Sequence, residues 1–512
     1  MTGNSLRNQS VANSHPMKKI VLSLATACTL VLGSCQKDLD QAPISNGSTL
    51  TFYATATDFN QAMTATYSAL RGYPDRTLYM SEIRSDNFYG ASSQGVRDWD
   101  GINNFVTTLS INPYIADTWA SDYGTIFRAN TMLDQLATRG SVTGSLQARY
   151  EGEAKFIRAM MYLDLVRYFG KVPLVDHALE PQDVVKIPRT DVAKVYDLII
   201  SDLQTAITNL PAAYAAADVG RATKGAAQTL LALTYLTRSG PTYSINGPGL
   251  GTNDYAAANT LLDQVIASKT YSLQAAYPRV FAFGNENNSE VIFDIQYLSG
   301  TVGGTYNSTL PTPAYLASVG VNFASNAVEN KQVSADVISS YATTDTRLGF
   351  NVVQSFTYAN VSYTAALLKK FVDPTAKGVS YSDWGLNFIV LRYADVLAMK
   401  AECLLHGAGS GSATDAAALV SPLRTRAGLA ALATIDMPTL LAERRREFLG
   451  EGQRWHDLVR EGAVLTTMNA WVAKEDVAMK ITRPIGENMI IYPVPQIELS
   501  AAPGVYEQNP GY

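Results

Sequence analysis

The stretch that decides the fold is KGAAQTLLALTYLTR, residues 224–238, which is followed after a break by DYAAANTLLDQVIASKTYSL, residues 254–273. Small residues recur at close helical spacing in both segments, and tyrosines stand near their ends. Since alanines let two helix backbones approach closely, the two segments predict a helix hairpin. Residues 239–253, which lie between them, contain too much glycine and proline to be helical.

Similar segments precede and follow this hairpin, so the chain is predicted to be mostly α-helical. They resemble tetratricopeptide (TPR) hairpins, which form a scaffold of stacked helix pairs. Pro211 ends the last upstream helix, and the two downstream segments form another such pair. The predicted helices cover residues 118–137, 151–169, 191–210, 391–405 and 414–429.

Residues 285–380 lack a helical period and are rich in glycine, serine, threonine, asparagine and aromatic residues. This composition predicts long loops with a few short strands, of which EVIFDIQY, residues 290–297, is the clearest. Long structured loops on a rigid scaffold commonly carry function.

The N-terminal region has the pattern of an export signal. Lys18 and Lys19 precede an apolar run, residues 20–32, which is well short of the ~20 residues that a membrane-spanning helix needs. Leu32, Gly33, Ser34 and Cys35 then match a bacterial lipobox. We therefore predict that residues 1–34 are a signal peptide, with Met17 a plausible true start, and that residues 35–50 are a tether lipidated at Cys35. The alternative is an ordinary signal peptide with an incidental cysteine.

Composition excludes some classes of protein. The net charge is −5, and removal of residues 1–34 deletes three basic residues and no acid, which argues against a nucleic-acid ligand. Only Cys35 and Cys403 remain after that removal, so a disulfide framework is not expected. A chain of 512 residues is long enough to be held together by burial alone.

No catalytic constellation is evident in the sequence. The four histidines are scattered, and the chain contains no H-E-x-x-H, no phosphate-binding G-x-x-x-x-G-K-[ST] and no G-x-S-x-G motif. We therefore expect no metal, no cofactor and no catalytic residue.

The densest charge cluster is ERRREFLGEGQRWHDLVREG, residues 443–462. Paired carboxylates at a spacing of four could serve a glycosidase, but neighbouring arginines lower a carboxylate pKa, which is the wrong direction for a general acid. We therefore predict a structural ion network rather than a catalytic site. Its proposed members are Glu443, Glu447, Arg454 and Asp457.

Five features in sequence order resemble the SusD-like (SusD/RagB) family of outer-membrane lipoproteins. They are the lipobox, EAKFIRAMMYLDLVRYFGKVPLV, LRYADVLAMKAECLL, the charge cluster and YPVPQIELSAAPGVYEQNPGY at the C-terminus. The resemblance spans the whole mature chain and implies a surface-exposed, lipid-anchored protein that binds nutrient glycans. Such a protein would form a lid on a SusC-like TonB-dependent transporter. KDLD, residues 37–40, resembles the acidic surface-export signal of these lipoproteins, although Leu39 interrupts the acids.

The resemblance also implies a fold and an approximate site. The fold would contain four TPR-like helix pairs, with an N-terminal region at residues 51–284 and a C-terminal region with a loop-rich ligand face at residues 285–512, both in one compact unit. A glycan binder needs flat aromatic platforms and a few polar partners. Residues 82–105 and 303–316 supply both, and the first stretch corresponds to a ligand-contacting loop of the family. The proposed ligand residues are Trp99 as main platform, Tyr89 as second, Arg84, Asp86 and Asn103 as polar partners, and Tyr306 and Tyr315.

Two alternatives remain open from the residues alone. A TPR-type scaffold lipoprotein that binds peptides would fit the helices but not the long aromatic loops. A secreted glycoside hydrolase would fit the aromatic residues but would need a carboxyl group of raised pKa in a cleft. For the binding protein, the ligand could be starch, another glycan, a glycoprotein or a peptide.

Overall fold

Long helices packed side by side in chain order form the scaffold of the protein. The computed structural model describes residues 52–90, 97–309, 311–322, 331–476, 481 and 484–512. The predicted signal peptide, Cys35 and the tether lie outside these residues. The longer helices are α1 (Ala56–Ser68), α2 (Pro113–Arg139), α3 (Gly144–Phe169), α4 (Val192–Asn209), α5 (Lys224–Ser239), α6 (Tyr255–Ala267), α7 (Tyr393–Leu405), α8 (Ala413–Arg426), α9 (Met437–Glu447), α10 (Arg454–Arg460) and α11 (Val464–Glu475).

Each scaffold helix from α2 to α6 packs on the next one, and the series continues from α6 to α7 and from α7 to α8. The whole loop-rich region therefore leaves the scaffold after α6 and returns to it at α7. Ala226, Ala227 and Ala232 on α5 are fully buried, as close helix packing requires. The prediction of a mostly helical scaffold of TPR-like hairpins is confirmed.

Local chemistry sets the helix ends. Helix α2 begins five residues before its predicted start, because the side chain of Asn112 caps it and Pro113 occupies its first turn. Gly140, in the left-handed conformation, ends it. Helix α7 begins two residues later than predicted, since Leu391 and Arg392 belong to a strand.

The strands form separate antiparallel pairs. They are β1 (Phe88–Tyr89) with β5 (Gln332–Val333), β2 (Val172–Pro173) with β3 (Arg189–Thr190), β4 (Val291–Ile295) with β8 (Phe388–Arg392), and β6 (Val352–Tyr358) with β7 (Val361–Leu368). Strand β4 lies inside the predicted strand at residues 290–297. Shorter helices decorate the loops, at Tyr73–Thr77, Asp98–Asn103, Pro181–Val184, Tyr306–Thr309, Pro313–Ser318, Ala335–Ser340, Thr346–Asn351 and Gln496–Ala501.

Residues 55–512 form one compact unit. One apolar core of that unit lies between α7, α8 and α9, where Ala398, Val420 and Leu440 meet. Cys403 is buried on α7 and has no disulfide partner among the residues that the structure describes. Within the described ranges, no helix combines the length and the apolar character that crossing a membrane requires.

Candidate functional site

The two stretches that the sequence predicts as ligand-binding lie side by side. Strand β1, in the first stretch, pairs with β5, which follows the second stretch. The ammonium group of Lys331 contacts both stretches, because its Nζ lies 4.3 Å from the ring centroid of Trp99 and 3.1 Å from the carbonyl oxygen of Thr309. It also lies 3.1 Å from the hydroxyl of Tyr79. The loops therefore assemble on one side of the scaffold, as a shared ligand face would require.

Trp99, the predicted main platform, is buried and only 4% exposed. Its ring stacks on Tyr79 with 6.4 Å between centroids, and Lys331 Nζ lies 4.3 Å from its centroid. The prediction of an exposed platform is therefore wrong for Trp99. The flanking acids do not signal exposure, because Asp98 and Asp100 occupy the first turn of a short helix, where carboxylates are favoured.

The predicted polar partners are also buried. Arg84 donates hydrogen bonds to the carbonyl oxygens of Ile102 and Met489, at 2.8 and 2.6 Å. Asn103 donates from Nδ2 to the carbonyl oxygen of Ile83 at 2.7 Å. Asp86 forms ion pairs with two arginines of the charge cluster, described below. The predicted role of these three residues as ligand contacts is thus contradicted, because their polar groups satisfy the interior.

The predicted tyrosines differ in their exposure. Tyr306 is 1% exposed and lies within hydrogen-bonding distance of two backbone carbonyl oxygens, so it is a core residue. Tyr89 is half-buried, and its hydroxyl donates to Glu475 Oε2 at 2.7 Å and accepts from the backbone N–H of Ala335. Burial and the neighbouring Glu475 raise the pKa of Tyr89 to about 12. Tyr315 is 7% exposed but packs beneath an exposed aromatic surface.

The charge cluster is an interior ion network. Glu447 is fully buried and lies 2.8 Å from Arg347, 2.9 Å from Arg392 and 2.5 Å from Arg426. Burial alone would raise the pKa of Glu447, but the three guanidinium groups outweigh it and hold that pKa well below its usual range. Helix α9 ends at Glu447, and Gly450 and Gly452 follow in the left-handed conformation.

The other predicted members of the network are paired in the same region. Glu443 binds Arg347 at 2.7 Å, and Asp457 binds Arg444 at 2.8 Å. Arg454 binds Asp86 at 2.8 Å. Burial would raise the pKa of Asp86, yet the guanidinium groups of Arg445 and Arg454 lower it to about 2. The cluster thus connects the C-terminal helices to the first predicted ligand loop.

Exposed aromatic rings lie instead on the hairpin formed by β6 and β7. Phe356 and Tyr363 are cross-strand partners whose rings stack nearly parallel, with 4.8 Å between centroids and 8° between planes. Tyr358 and Val361 form the next pair on the same face, and Tyr358 is 38% exposed. We call the surface formed by Phe356, Tyr358, Val361 and Tyr363 the hairpin aromatic face.

Tyr315 supports this face from below. Its ring meets Phe356 edge to face at 5.5 Å, and its helix, Pro313–Ser318, packs against β6. A supported stack of two nearly parallel rings offers apolar ring surface, which suits the C–H face of a sugar ring. The sequence does indicate this hairpin. The alternating segments F-T-Y and V-S-Y stand on either side of Ala359 and Asn360, but the loop-like composition of the region obscures them.

The described residues contain no group of three or more histidine, cysteine or acidic side chains suited to hold a metal ion.

The fold and the site together define a helical-hairpin scaffold that presents aromatic side chains on long loops. A family model described as "SusD family" matches residues 352–512, and one described as "Starch-binding associating with outer membrane" matches residues 39–236. The chain belongs to the SusD/RagB family.

Relatives of known name or structure agree with this assignment. A SusD-like protein of Formosa agariphila is 27% identical over 490 residues, which cover 86% of this chain and 90% of the relative. The solved structure of surface glycan-binding protein A from Bacteroides uniformis superposes with a TM-score of 0.77 at 24% identity, covering 90% of this chain and all of that one. The structure of a laminarin-binding SusD-like protein superposes with a TM-score of 0.71 at 25% identity, with the same coverage.

Proposed function

We propose that this protein is a glycan-binding lipoprotein of the outer membrane, anchored through Cys35 and facing the cell exterior, which delivers glycan to a SusC-like TonB-dependent transporter. Membership of the SusD/RagB family and the glycan-binding names of its relatives support this function. The observation that carries it is the stacked and solvent-accessible pair of Phe356 and Tyr363 on a loop-region hairpin.

The hairpin aromatic face is the proposed platform for sugar rings. Both members of the stacked pair are partly exposed, and Tyr358 extends the surface toward the turn. Asn360 is exposed in that turn and offers an amide to sugar hydroxyls. A ligand would thus meet apolar rings with polar groups at their margin, which is the arrangement that sugar recognition requires.

A glycoside hydrolase fits the geometry less well. The carboxylates that the sequence places at glycosidase-like spacing are Glu443 and Glu447, and arginines hold the pKa of both below the usual range after opposing the effect of burial. A general acid needs a raised pKa and access to the ligand. These two groups have neither, so we propose a binding protein without catalytic activity.

The test is glycan binding by variants of the platform. Tyr363→Ala removes one half of the stacked pair, and Thr364→Ala, on the opposite face of the same strand, is the matched control. Isothermal titration with laminarihexaose and a panel of soluble polysaccharides should show affinity reduced about tenfold or more in Tyr363→Ala only, since a stacked ring contributes roughly 1–3 kcal/mol.

Two outcomes would contradict the proposal. One is the absence of binding to every glycan of the panel by the wild-type protein. The other is equal affinity of the wild type and Tyr363→Ala, which would show that the platform lies elsewhere.

A further inference from the structure

A cavity of about 310 Å³ opens to the surface between α1, the turn at residues 217–221 and strand β4. None of its lining residues belongs to the hairpin aromatic face. Its volume lies at the lower end of small-ligand sites, which span roughly 300–1,000 Å³. A smaller cavity of about 170 Å³ adjoins it and shares Val219, Gly220 and Asp294 as walls.

The walls of the larger cavity are mainly apolar. Phe293 and Ile295 of β4 form one side, and both are buried. Leu70 and Tyr67 line the side of α1, and Val219 stands at the rim with 45% of its surface exposed. These walls suit the C–H groups of a small ring rather than a fully hydrated ion.

One buried donor on the wall has no partner. The guanidinium of Arg71 donates from Nη2 to the carbonyl oxygen of Gly303 at 2.8 Å. Its Nε is buried and has no hydrogen-bond partner in the described part of the chain. Arg71 therefore brings a guanidinium group to the wall of a mainly apolar cavity.

Asp294, which lies on β4 between Phe293 and Ile295, contributes a buried carboxyl group to the cavity lining. Asp294 is 3% exposed and accepts hydrogen bonds from the side-chain amides of Asn387, at 3.0 Å, and Gln296. Burial raises the pKa of Asp294 to about 7, although the two amide donors partly oppose this. Such a group exchanges hydrogen bonds with hydroxyls and does not favour an anion.

The charges at the rim are already paired. Arg221 binds Glu153 at 2.8 Å and Asp218 at 3.0 Å. At Gly220, with φ of +92°, an added Cβ would lie 2.5 Å from Gln296 Cγ, so the turn closes directly onto the amide side chain. The cavity therefore combines mainly apolar walls with hydroxyl, amide and guanidinium groups, a combination that matches a polyhydroxylated ring.

We propose that this cavity is a second carbohydrate pocket, which holds one pyranose unit of a neutral glycan apart from the hairpin aromatic face. The choice of ligand class rests on the proposed function, whereas the location rests on the cavity itself. A charged sugar such as glucuronate would have to desolvate its carboxylate against mainly apolar walls, so it should bind more weakly.

The test plugs the cavity from its rim. Ser68, the last residue of α1, is exposed and lines the cavity, so Ser68→Trp fills the opening without disturbing the core. Ala65→Trp is the control, because Ala65 is exposed on the same helix but does not line the cavity. The full-length protein in a sugar-free detergent is examined by saturation-transfer NMR with the methyl pyranosides of glucose, galactose, mannose and xylose, and with glucuronate.

We expect at least one neutral pyranoside to give a signal in the wild type that falls at least fivefold in Ser68→Trp. The signal should persist in Ala65→Trp, and glucuronate should give a weaker one. No signal from any neutral pyranoside, or a signal that Ser68→Trp leaves unchanged, would overturn the pocket. If laminarihexaose or a polysaccharide of the panel still depends on Tyr363, that failure leaves the proposed function intact. If no glycan of the panel binds but Ser68→Trp reduces the pyranoside signal, the proposed pocket is supported and the proposed function is contradicted.

Discussion

At the scale of single residues, the interior contains a network of paired buried charges. Glu447 is surrounded by three guanidinium groups that come from three different elements, and Glu290 and Glu451 share Arg392 with it. Burying a charge costs free energy unless an opposite charge compensates it. Removal of one partner therefore leaves an uncompensated charge in the interior. These residues therefore control stability rather than recognition.

Glu447→Ala should destabilise the fold severely. Three buried arginines would lose a shared partner, and we expect the free energy of unfolding to fall by about 3–5 kcal/mol. Thermal or denaturant unfolding measures this, with Glu180→Ala as the control because Glu180 is exposed. A change below about 1 kcal/mol in Glu447→Ala would contradict the assignment.

Asp294→Asn should change how stability depends on pH. Burial raises the pKa of Asp294 to about 7, against roughly 3.9 in an unfolded chain. The stability that the protonated group contributes is complete below the unfolded pKa and is lost as the pH rises toward 7. The variant has no such loss. Its free energy of unfolding, relative to that of the wild type, should therefore rise by at least about 1 kcal/mol between pH 4 and pH 7. The neighbouring Glu286 also raises the pKa of Asp294. If urea denaturation gave the same pH dependence of unfolding free energy for the variant and the wild type, the raised pKa would be contradicted.

The exposure of single aromatic residues is the part of the site that sequence reasoning predicted least well. Trp99 lies in a Gly/Ser-rich stretch between two acids, yet it packs beneath Lys331 and Tyr79. Lys331 lies far along the chain, and no local pattern indicates that it covers Trp99. In contrast, the mixture of acids and arginines in the charge cluster predicted ion pairing, although the partners of Glu447 are arginines from distant segments.

At the scale of elements, the turn of the β6–β7 hairpin requires a backbone conformation that is unfavourable for one of its two residues, Ala359. Ala359 and Asn360 connect the strands with φ of 51° and 62°, the left-handed region that two-residue hairpin turns require. Asparagine tolerates this region, whereas alanine suffers a clash between its Cβ and the backbone. The proposed platform is thus carried by a hairpin with a strained turn.

Ala359→Gly should relieve that strain. Glycine adopts the left-handed region freely but loses more entropy on folding, so we expect a net gain of about 0.5–1 kcal/mol in unfolding free energy. Asn360→Gly is the matched control and should gain less. Denaturant unfolding distinguishes them, and a loss of stability in Ala359→Gly would show that the turn is not strained.

Helices were predictable where the helical period of small or apolar residues extended over several turns, but the residues at which they begin and end were not predictable. The alanine-rich pairs define α5 and α6 because small residues recur over several turns. The start of α2 escaped prediction, since a single Asn-Pro cap overrides the apolar period. Strands such as β1 and β5 span two residues and exist only because distant segments meet, so no local period reveals them.

At the scale of the whole molecule, the chain combines a scaffold, a loop-rich face and the proposed anchor. The C-terminal segment closes onto the scaffold, where Asn509 donates hydrogen bonds from Nδ2 to the carbonyl oxygens of Phe169 and Tyr492. The C-terminal segment therefore completes the fold, whereas the N-terminal segment is proposed to hold the protein at the membrane.

Cys35→Ala should release the protein from the membrane or leave it with its signal attached. The thiol is the proposed site of acylation, and one acyl chain contributes ~0.8 kcal/mol for each buried CH₂ group. Membrane fractionation measures the effect, with Cys403→Ala as the control because Cys403 is buried on α7. Unchanged outer-membrane fractionation of Cys35→Ala in cells without the transporter would refute the lipid anchor.

The pairing of Asp86 with Arg454 joins residues that are 368 positions apart. Contacts of such high sequence separation form late, because the closure entropy of a long loop must be overcome first. A chain that is exported from its N-terminus would hold Asp86 unpaired until the last helices emerge from the translocation channel. If the chain is exported as proposed, residues 82–105 would therefore reach their native conformation only after export is nearly complete.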